Sequence, residues 1–318
     1  MKIERLADNP IISPSSSESI GTNINGPSLI RVPTWVSQPL GRYYLYFAHH
    51  KGKHIRLAYA DRVEGPWTIH EPGVMRLEDS LFPTSIDVSQ LSEQLRQRLR
   101  SIKTEADDPL ACHIASPDVI VVPETREIRM YYHGLLETAR QGSRVAVSSN
   151  GLDFTPLPEV VPRTYLRVFQ WLGYYYALAM PGIFYRSNDG LTGFEEGPNL
   201  FNEDMRHAAL MVYGETLYVF WTEVGDAPEH ILLSTINITG DWHSWRATNP
   251  FDVLMPENEW EGANLPAEPS VRGAIDHPVN QLRDPCIFQE GDNCWFLYTV
   301  AGESGIAIAE LQHSPGIQ

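Results

Sequence analysis

The sequence predicts an all-β fold, and three observations support this assignment. Proline and glycine, with 24 and 23 residues among 318, are spread along the whole chain. Short runs rich in aromatic and β-branched residues lie between them, which is typical of strands joined by many turns. These runs repeat as a three-strand unit, and five copies of the unit follow one another. The chain is therefore expected to form a five-bladed β-propeller.

Each unit consists of an apolar strand, an aromatic strand and a third strand that leads into a turn. The aromatic second strands mark the five copies most clearly, at 43–50, 128–134, 174–180, 217–223 and 295–303. The fifth copy ends close to residue 318, so Lys2–Leu6 is expected to supply the outer strand that closes the ring. Because a closed ring of blades is one domain, residues 1–318 are expected to form a single domain.

Two intervals between units are longer than the others and are expected to hold insertions, at about 84–112 and 250–281. In the first, apolar residues recur at three- and four-residue steps between Ser85 and Lys103, which predicts one external helix. The second is rich in proline. Both insertions are expected to form part of the rim and to narrow the site toward a small, exo-type substrate.

The charge balance excludes several classes of partner. The chain has 40 Asp and Glu against 24 Lys and Arg, a net charge of −16, which argues against binding nucleic acid or an anionic membrane surface. No apolar run approaches the ~20 residues that span a bilayer. The first residues lack a secretory signature, and the three cysteines form no CxxC pair. These features predict a cytoplasmic protein.

Polar residues are placed where a propeller would gather them at one face. In a blade the first strand lines the central channel and the second runs antiparallel to it, so the start of the first strand and the end of the second open on the same face. The polar residues at or near these points are the substrate-binding candidates: Asn25, His49, His50, His113, His133, Arg167, Arg206, His207, Trp221 and Arg283. Three carboxylates, Asp118, Glu223 and Asp284, are the predicted catalytic set.

Carboxylates grouped with histidines and arginines suit hydroxyl-rich ligands and general acid–base chemistry. His49, His50 and His54 are close in sequence but lack the carboxylate spacing of a metal site, so no metal or cofactor is expected. Structural roles are the alternative: Asp118 and Asp284 each adjoin a proline and can cap a turn.

Two short motifs at the starts of first strands carry a family resemblance. The segment SPDVIVVPETREIRMYYHG (116–134) places Asp118 just before an aromatic strand, and Arg283-Asp284-Pro285 begins the last unit. With these motifs and its blade pattern, the chain resembles the five-bladed propeller glycosidases of glycoside hydrolase family 43 and of families 32, 68, 117 and 130. The resemblance implies that Asp118 orients the catalytic acid and tunes its pKa. It also implies that Asp284 stabilises the transition state, as the Asp of Arg-Asp-Pro does in the fructan-acting relatives.

The sequence departs from the family pattern at two positions. The first-blade general base of family 43 is an Asp directly before a Pro, and Gly26 stands there, preceded by Asn25. The third-blade catalytic Glu is replaced by the run 163–165, Arg-Thr-Tyr. Either the roles have moved, to Glu223, Asp284 and a histidine, or the protein does not hydrolyse by that mechanism. Family 117 relatives use a histidine as the acid, which implies three candidates: His113, His133 and His207.

The sequence therefore predicts a glycoside hydrolase of carbohydrate metabolism that acts on a small oligosaccharide or glycoside, with inversion. Inverting enzymes hold their two carboxyl groups roughly 6.5–9.5 Å apart. One alternative is a phosphate-dependent phosphorylase like those of family 130, in which Arg167, Arg206 and Arg283 hold phosphate. The other is a non-catalytic carbohydrate-binding propeller. The sugar, the linkage, endo or exo action and the oligomeric state are left open.

Overall fold

A computed structural model of the chain shows five four-stranded antiparallel sheets, and the predicted five-bladed β-propeller is confirmed. It describes residues 2–87, 89, 91–94, 97, 110–137 and 140–312. The predicted helix between Ser85 and Lys103 lies for the most part outside the described residues. None of the helices in the described part of the chain has the length and apolarity needed to cross a bilayer.

Each blade is formed by strands that follow one another in the chain. Blade I contains β2 (Asn25–Arg31), β3 (Tyr43–Ala48), β4 (His54–Ala60) and β5 (Thr68–Arg76). Blade II contains β6 (Ile114–Val122), β7 (Glu127–Glu137), β8 (Arg140–Ser148) and β9 (Thr155–Pro156). Blade III contains β10 (Thr164–Trp171), β11 (Tyr174–Met180), β12 (Ile183–Ser187) and β13 (Glu195–Asn199).

The remaining two blades complete the ring. Blade IV contains β14 (Met205–Tyr213), β15 (Thr216–Glu223), β16 (Ile231–Asn237) and β17 (Phe251–Leu254). Blade V contains β18 (Arg283–Glu290), β19 (Asn293–Thr299), β20 (Ile306–Gln312) and, at its outer edge, β1 (Lys2–Arg5). Short 3₁₀ turns occur at Pro14–Ser16, Glu18–Ile20, Leu77–Asp79, Trp242–Ser244 and Glu259–Glu261.

The N-terminal strand closes the ring, as the sequence predicted. β1 pairs antiparallel with β20, which joins the two ends of the described chain in one sheet. Arg5 at the end of β1 donates hydrogen bonds to Glu261 Oε1 at 2.7 Å, Glu257 Oε2 at 2.8 Å and the Met255 carbonyl at 2.6 Å. Glu261 is fully buried, so its charge depends on this arginine for compensation. The 250–281 insertion thus braces the closing strand.

The aromatic second strands form the core between blades. These strands are covered by neighbouring blades on both faces, so they carry large apolar side chains at successive positions. Tyr44, Tyr46, Phe47, Phe220 and Phe296 are all fully buried there. Burying an aromatic side chain of this size stabilises the fold by about 1.5–3 kcal/mol. The repeated aromatic runs therefore reflect the contacts between blades.

The first strand of every blade has a β-bulge near its start, which positions the candidate site. The pairing register with the second strand shifts at 25–28, 115–118, 164–167, 205–208 and 283–286. In four of these bulges the first unpaired residue has a positive φ: Gly26 at 61°, Ser116 at 49°, Tyr165 at 59° and Asp284 at 46°. A bulge re-aims side chains at the rim of a sheet. The bulged residues are therefore expected to lie at the channel mouth.

Candidate functional site

A pocket of about 330 Å³ lies where the first strands of blades II, III and IV begin, and we call it the mouth pocket. First-strand residues such as Ser116, Tyr165 and His207 line it together with residues at the ends of second strands, such as His133 and Met180. The expectation that these two kinds of position share one face is therefore confirmed. Arg272 and Gly273 of the 250–281 insertion also line the pocket, so that insertion does form part of its rim.

The lining of the mouth pocket is rich in cationic and imidazole groups. Its basic members are Lys51, Arg163, Arg206 and Arg272, and its histidines are His50, His133 and His207. Among the described lining residues none is Asp or Glu. The chain as a whole has a net charge of −16, so this gathering of positive groups is a local feature. A cleft lined by one sign of charge concentrates ligands of the opposite sign, so the pocket suits an anionic ligand.

Asp284 is the carboxylate that lies directly behind this lining. It is 1% exposed, and its Oδ1 accepts a 2.8 Å hydrogen bond from the Tyr165 hydroxyl. Burial and the nearby charge of Glu303 raise the pKa of Asp284 to about 6, while the bond from Tyr165 opposes the rise. The carboxyl therefore exchanges its proton close to neutral pH, as a general acid must.

The orientation of His207 follows from its neighbours. Nε2 of His207 lies 3.3 Å from Nη2 of Arg206, and a guanidinium can only donate. The histidine proton is therefore on Nδ1, which lies 3.6 Å from Asp284 Oδ1. Burial, with the charge of Arg206, holds the pKa of His207 well below its usual range, so the ring is neutral. The Nδ1–H of His207 therefore lies near the carboxyl of Asp284, but the separation is too long for a hydrogen bond.

Glu303 is a second buried carboxylate, and it is saturated with donors. Its Oε1 accepts from Arg283 at 3.0 Å and from His50 Nδ1 at 3.1 Å. Its Oε2 accepts from Asn23 at 2.7 Å and from Asn25 at 3.1 Å. Burial alone would raise the pKa of Glu303, but His50, Arg283 and Asn23 outweigh it and hold the pKa well below its usual range. Glu303 is therefore ionised throughout the working range of pH.

The two carboxyl groups are thus driven to opposite protonation states. Asp284 is easily protonated, whereas Glu303 remains an anion. Such a divergence between neighbouring groups is how acid and base roles are separated in active sites. Beneath them, Glu229 pairs with Arg283 at 3.1 Å and with Arg206 at 3.4 Å, all fully buried. This network holds Arg206 in the pocket lining and Arg283 behind it.

Several residues predicted from the sequence do meet at this site. His50, His133, Arg206 and His207 line the pocket. Asp284, Arg283 and Asn25 lie behind it, joined to the lining by the contacts described above. His113 is also buried, with its ring centroid 5.8 Å from that of His133 and its Nδ1 donating to the Ala111 carbonyl. The remaining candidates lie elsewhere.

The expectation that Asp118 faces the mouth is wrong. Asp284 occupies the bulge before its proline, but Asp118 follows Pro117 and pairs with Tyr131 beyond the bulge. The bulged residue of blade II is Ser116 instead. Asp118 lines a separate cavity inside the channel, and its Oδ2 accepts a 2.8 Å bond from the Val168 amide. Asp118 lies two residues beyond the bulged Ser116, which places this carboxylate below the mouth.

Arg167 occupies the same deeper level as Asp118. Its guanidinium lies 4.1 Å from the centre of the Tyr165 ring and donates to the carbonyls of Ala208 at 3.0 Å, Pro117 and Leu166. It also lines the channel cavity rather than the mouth pocket. Arg167 therefore supports Tyr165 from below and is not placed to hold a ligand at the mouth.

Trp221, Glu223 and His49 are not part of the pocket lining. Trp221 is 2% exposed, with its Nε1 bonded to Ser234, so it has no free face on which a sugar can stack. Glu223, at the end of β15, accepts a 2.6 Å bond from Asn202. His49 turns back on the chain, where its Nδ1 accepts from the Lys51 amide. Apolar packing and local turns account for these placements.

Some site residues were not predicted, and the bulges explain why. Tyr165 belongs to the run 163–165 that stands where the resemblance implied a Glu, and Lys51, Arg163 and Arg272 lie in connecting segments. Glu303 was expected on this face, since it follows the second strand β19, but the sequence carries no sign of its four partners. A residue directly before a proline at the start of a first strand marks the bulge in blades I, II and V, and this signal would have located Ser116. Within the described residues no three His, Cys, Asp or Glu side chains are grouped as a metal site.

The fold is shared with solved glycoside hydrolase structures. A putative glycoside hydrolase of Bacteroides ovatus ATCC 8483 has a TM-score of 0.62 at 11% identity, covering 98% of this chain and 96% of that one. CoXyl43, a family 43 β-xylosidase/α-arabinofuranosidase from a compost metagenome, has a TM-score of 0.60 at 13% identity, covering 98% and 96%. A protein of the family 130 of mannoside phosphorylases has a TM-score of 0.62 at 13% identity, covering 97% and 93%. The predicted resemblance is confirmed for the fold.

Sequence similarity places the chain in a narrower group. No protein-family model matches it. The uncharacterized protein R118 of Acanthamoeba polyphaga mimivirus is 33% identical over 338 residues, covering 97% of this chain and 90% of the viral protein. Similarity of this extent along nearly the whole of both chains shows common descent. The chain therefore belongs to the protein family of mimivirus R118, and it has the five-bladed propeller fold of the glycosidases.

Proposed function

We propose that the mouth pocket is the active site of a glycosidase that hydrolyses a small, negatively charged glycoside. The observation that carries the proposal is one protonatable carboxyl, Asp284, directly behind a pocket whose described lining is otherwise cationic or neutral. The propeller fold of the solved glycosidases supports the reaction class.

Asp284 is the proposed general acid. It is buried behind the lining, so its proton passes through the Tyr165 hydroxyl, which touches both Asp284 and the pocket. Protonated Asp284 donates to the tyrosine oxygen while the tyrosine proton moves to the glycosidic oxygen. The bond between that oxygen and the anomeric carbon breaks, and a water oxygen bonds to the carbon from the opposite face. The water proton goes to a base on that side of the pocket.

The cationic lining sets the proposed substrate class. Arginine binds carboxylate, sulfate and phosphate groups through paired hydrogen bonds, which lysine complements as a point charge. Arg206 is held rigidly, since its guanidinium donates to the carbonyls of Val271 at 3.0 Å and Gly273 at 3.3 Å. A volume of about 330 Å³ is small for a ligand pocket. A short glycoside with a uronate, sulfate or phosphate group fits these properties.

Phosphorolysis is the second candidate, because the cationic lining also suits inorganic phosphate. In that reaction a phosphate oxygen attacks the anomeric carbon and the leaving oxygen takes the proton from the acid, giving a sugar phosphate and an alcohol. Phosphate needs no base to activate it, so the single protonatable carboxyl of Asp284 would suffice. The two reactions differ in whether turnover depends on phosphate.

The test is turnover of neutral and acidic aryl glycosides and short oligosaccharides, with and without phosphate. Wild type is compared with Asp284→Asn and with a matched control, Asp118→Asn, in which the same change is made below the mouth. We expect phosphate-independent release of sugar from acidic substrates, lost in Asp284→Asn and kept in Asp118→Asn. Strict phosphate dependence would favour phosphorolysis. Binding of acidic sugars without any turnover would make the protein a carbohydrate-binding propeller and overturn the proposal.

A further inference from the structure

The blade I position that holds a carboxylate in the family pattern has no side chain here. Gly26 stands at the bulge with φ of 61°, a conformation that favours glycine. A Cβ at this position would lie 2.9 Å from the Cα of Ser116. A side chain on residue 26 would therefore force the backbones of blades I and II apart, and Gly26 itself offers no group that can act as a base.

His50, just after β3, has the geometry of an oriented base. Its Nδ1 lies 3.1 Å from Glu303 Oε1, and its own amide donates a 2.8 Å bond to Asn23 Oδ1. An ionised carboxylate can only accept, so Nδ1 carries the proton of a neutral His50 ring. Nε2 then keeps its lone pair, and the ring, with its side chain 22% exposed, lines the pocket. Both the backbone and the ring of His50 are fixed.

The other two histidines of the pocket lack this arrangement. Nε2 of His207 is already occupied by Arg206, and Nδ1 of His207 faces Asp284. His133 is 7% exposed, and its Nδ1 has no hydrogen-bond partner. Of the three described histidines in the lining, His50 is the one that is oriented by an ionised carboxylate, that of Glu303.

We propose that His50 is the general base of the reaction and that Glu303 is its positioning residue. The inference rests on the proposed hydrolysis. Nε2 of His50 takes a proton from water as the water oxygen bonds to the anomeric carbon. The glycosidic bond breaks, and the leaving oxygen is protonated from the Asp284 side. The imidazolium formed on His50 lies against Glu303, and afterwards His50 releases its proton to solvent while Asp284 takes one up.

The surroundings of His50 fit a ring that takes up a proton during turnover. Glu303 contacts the ring, Arg283 donates to the same oxygen of Glu303, and Lys51 lines the pocket with it. The other groups within electrostatic range are Asp284, His113, His133 and His207. Burial holds the pKa of each of the last three histidines below its usual range, so they carry no charge that would oppose the imidazolium. Glu303 is the anion that compensates it. Because Glu303 is fully buried and bonded to four donors, it cannot reach the water itself.

The test is chemical rescue of a histidine deletion. His50→Ala should lower kcat by a factor of about 10²–10⁴ with little change in KM. Added imidazole, which fits the space left by the ring, should restore turnover in proportion to its unprotonated concentration. His70→Ala, a change on β5 outside the pocket lining, should leave kcat unchanged and should not respond to imidazole.

A second variant tests the positioning role. Glu303→Gln keeps the shape but removes the anion beside the imidazolium, so the acid limb of the pH profile of kcat/KM should move to lower pH. An unchanged profile in a folded Glu303→Gln protein would contradict the role of Glu303. If wild type hydrolyses glycosides but His50→Ala keeps its rate, or loses it without imidazole rescue, the base assignment is wrong and the hydrolysis stands. If wild type turns over only with phosphate, both proposals fail.

Discussion

The hydroxyl of Tyr165 donates a 2.8 Å hydrogen bond to Oδ1 of Asp284, which joins the bulges of blades III and V across the channel. This bond favours the ionised form of Asp284 and so lowers its pKa against the effects of burial and Glu303. Tyr165→Phe removes the donor and should raise that pKa. Because an acid must be protonated to act, the alkaline limb of the pH–rate profile should move to higher pH.

The control for this change is Tyr43→Phe, which removes a hydroxyl bonded to Glu290 away from the pocket. We expect its profile to match that of wild type. The maximal rate of Tyr165→Phe should also fall, because the path for the proton is lost. An alkaline limb that stays in place or moves to lower pH would contradict the link between Tyr165 and Asp284.

Asp284 should make stability depend on pH in a specific direction. Its pKa is raised from 3.8 to about 6 in the folded protein, so folding takes up a proton between these values. The resulting stabilisation is present below pH 4 and is lost as pH rises through 6. A shift of this size corresponds to about 2–3 kcal/mol.

Urea denaturation of wild type and Asp284→Asn across pH 4–7 measures this effect. The asparagine does not titrate. As pH rises from 4 to 7, the unfolding free energy of wild type should therefore fall by about 2–3 kcal/mol relative to that of Asp284→Asn. Other carboxylates, Glu303 included, contribute to both proteins and cancel to first order. Parallel curves would show that Asp284 is not titrating in this range.

The close approach of blades I and II predicts unequal costs for two glycine substitutions. Gly26 and Gly214 have φ of 61° and 58°, so alanine is strained at both. A Cβ on Gly26 would lie 2.9 Å from Ser116, whereas Gly214 has no atom within 4 Å of the corresponding point. Gly26→Ala should therefore lose about 1–3 kcal/mol more unfolding free energy than Gly214→Ala. Equal losses would mean that the two blades can separate and admit a side chain.

The cationic rim predicts how affinity depends on substrate charge. Arg272 lines the mouth pocket and is 45% exposed, so Arg272→Ala removes a charge without emptying the core. We expect weaker binding of acidic glycosides and unchanged binding of neutral ones. The affinity for acidic glycosides should also depend less on salt concentration. Arg62→Ala, at a 73% exposed position outside the pocket, is the matched control. Equal effects of Arg272→Ala on acidic and neutral ligands would argue against an anionic substrate.

The propeller could be predicted because each blade needs a second strand that is apolar on both faces, and the sequence repeats this pattern five times. Each second strand is covered on both faces, so buried aromatic residues such as Tyr44, Tyr131 and Phe296 recur on this strand in different units. The face that carries the pocket followed from the direction of the first two strands. This is why His207 and Asp284 could be placed near the mouth without a structure.

The detailed site could not be predicted, because it depends on backbone register and on contacts between distant segments. Asp284 precedes its proline and lies in the bulge, whereas Asp118 follows its proline and lies two residues beyond the bulged Ser116, so the two carboxylates lie at different depths. Trp221 is an aromatic residue of the type that stacks on sugars, but the core encloses it, and the sequence does not show this. The four donors around Glu303 come from three separate parts of the chain, and no local pattern announces them.

The acid role of Asp284 is tested most directly by comparing leaving groups. Glycosides with a good leaving group, such as dinitrophenol, need no proton, whereas those with an alkyl or sugar leaving group do. Asp284→Asn should therefore lose a factor of about 10²–10⁴ in kcat/KM on the second kind and much less on the first, while Asp118→Asn loses neither. Equal losses on both kinds of substrate, or no loss on either, would contradict general acid catalysis by Asp284.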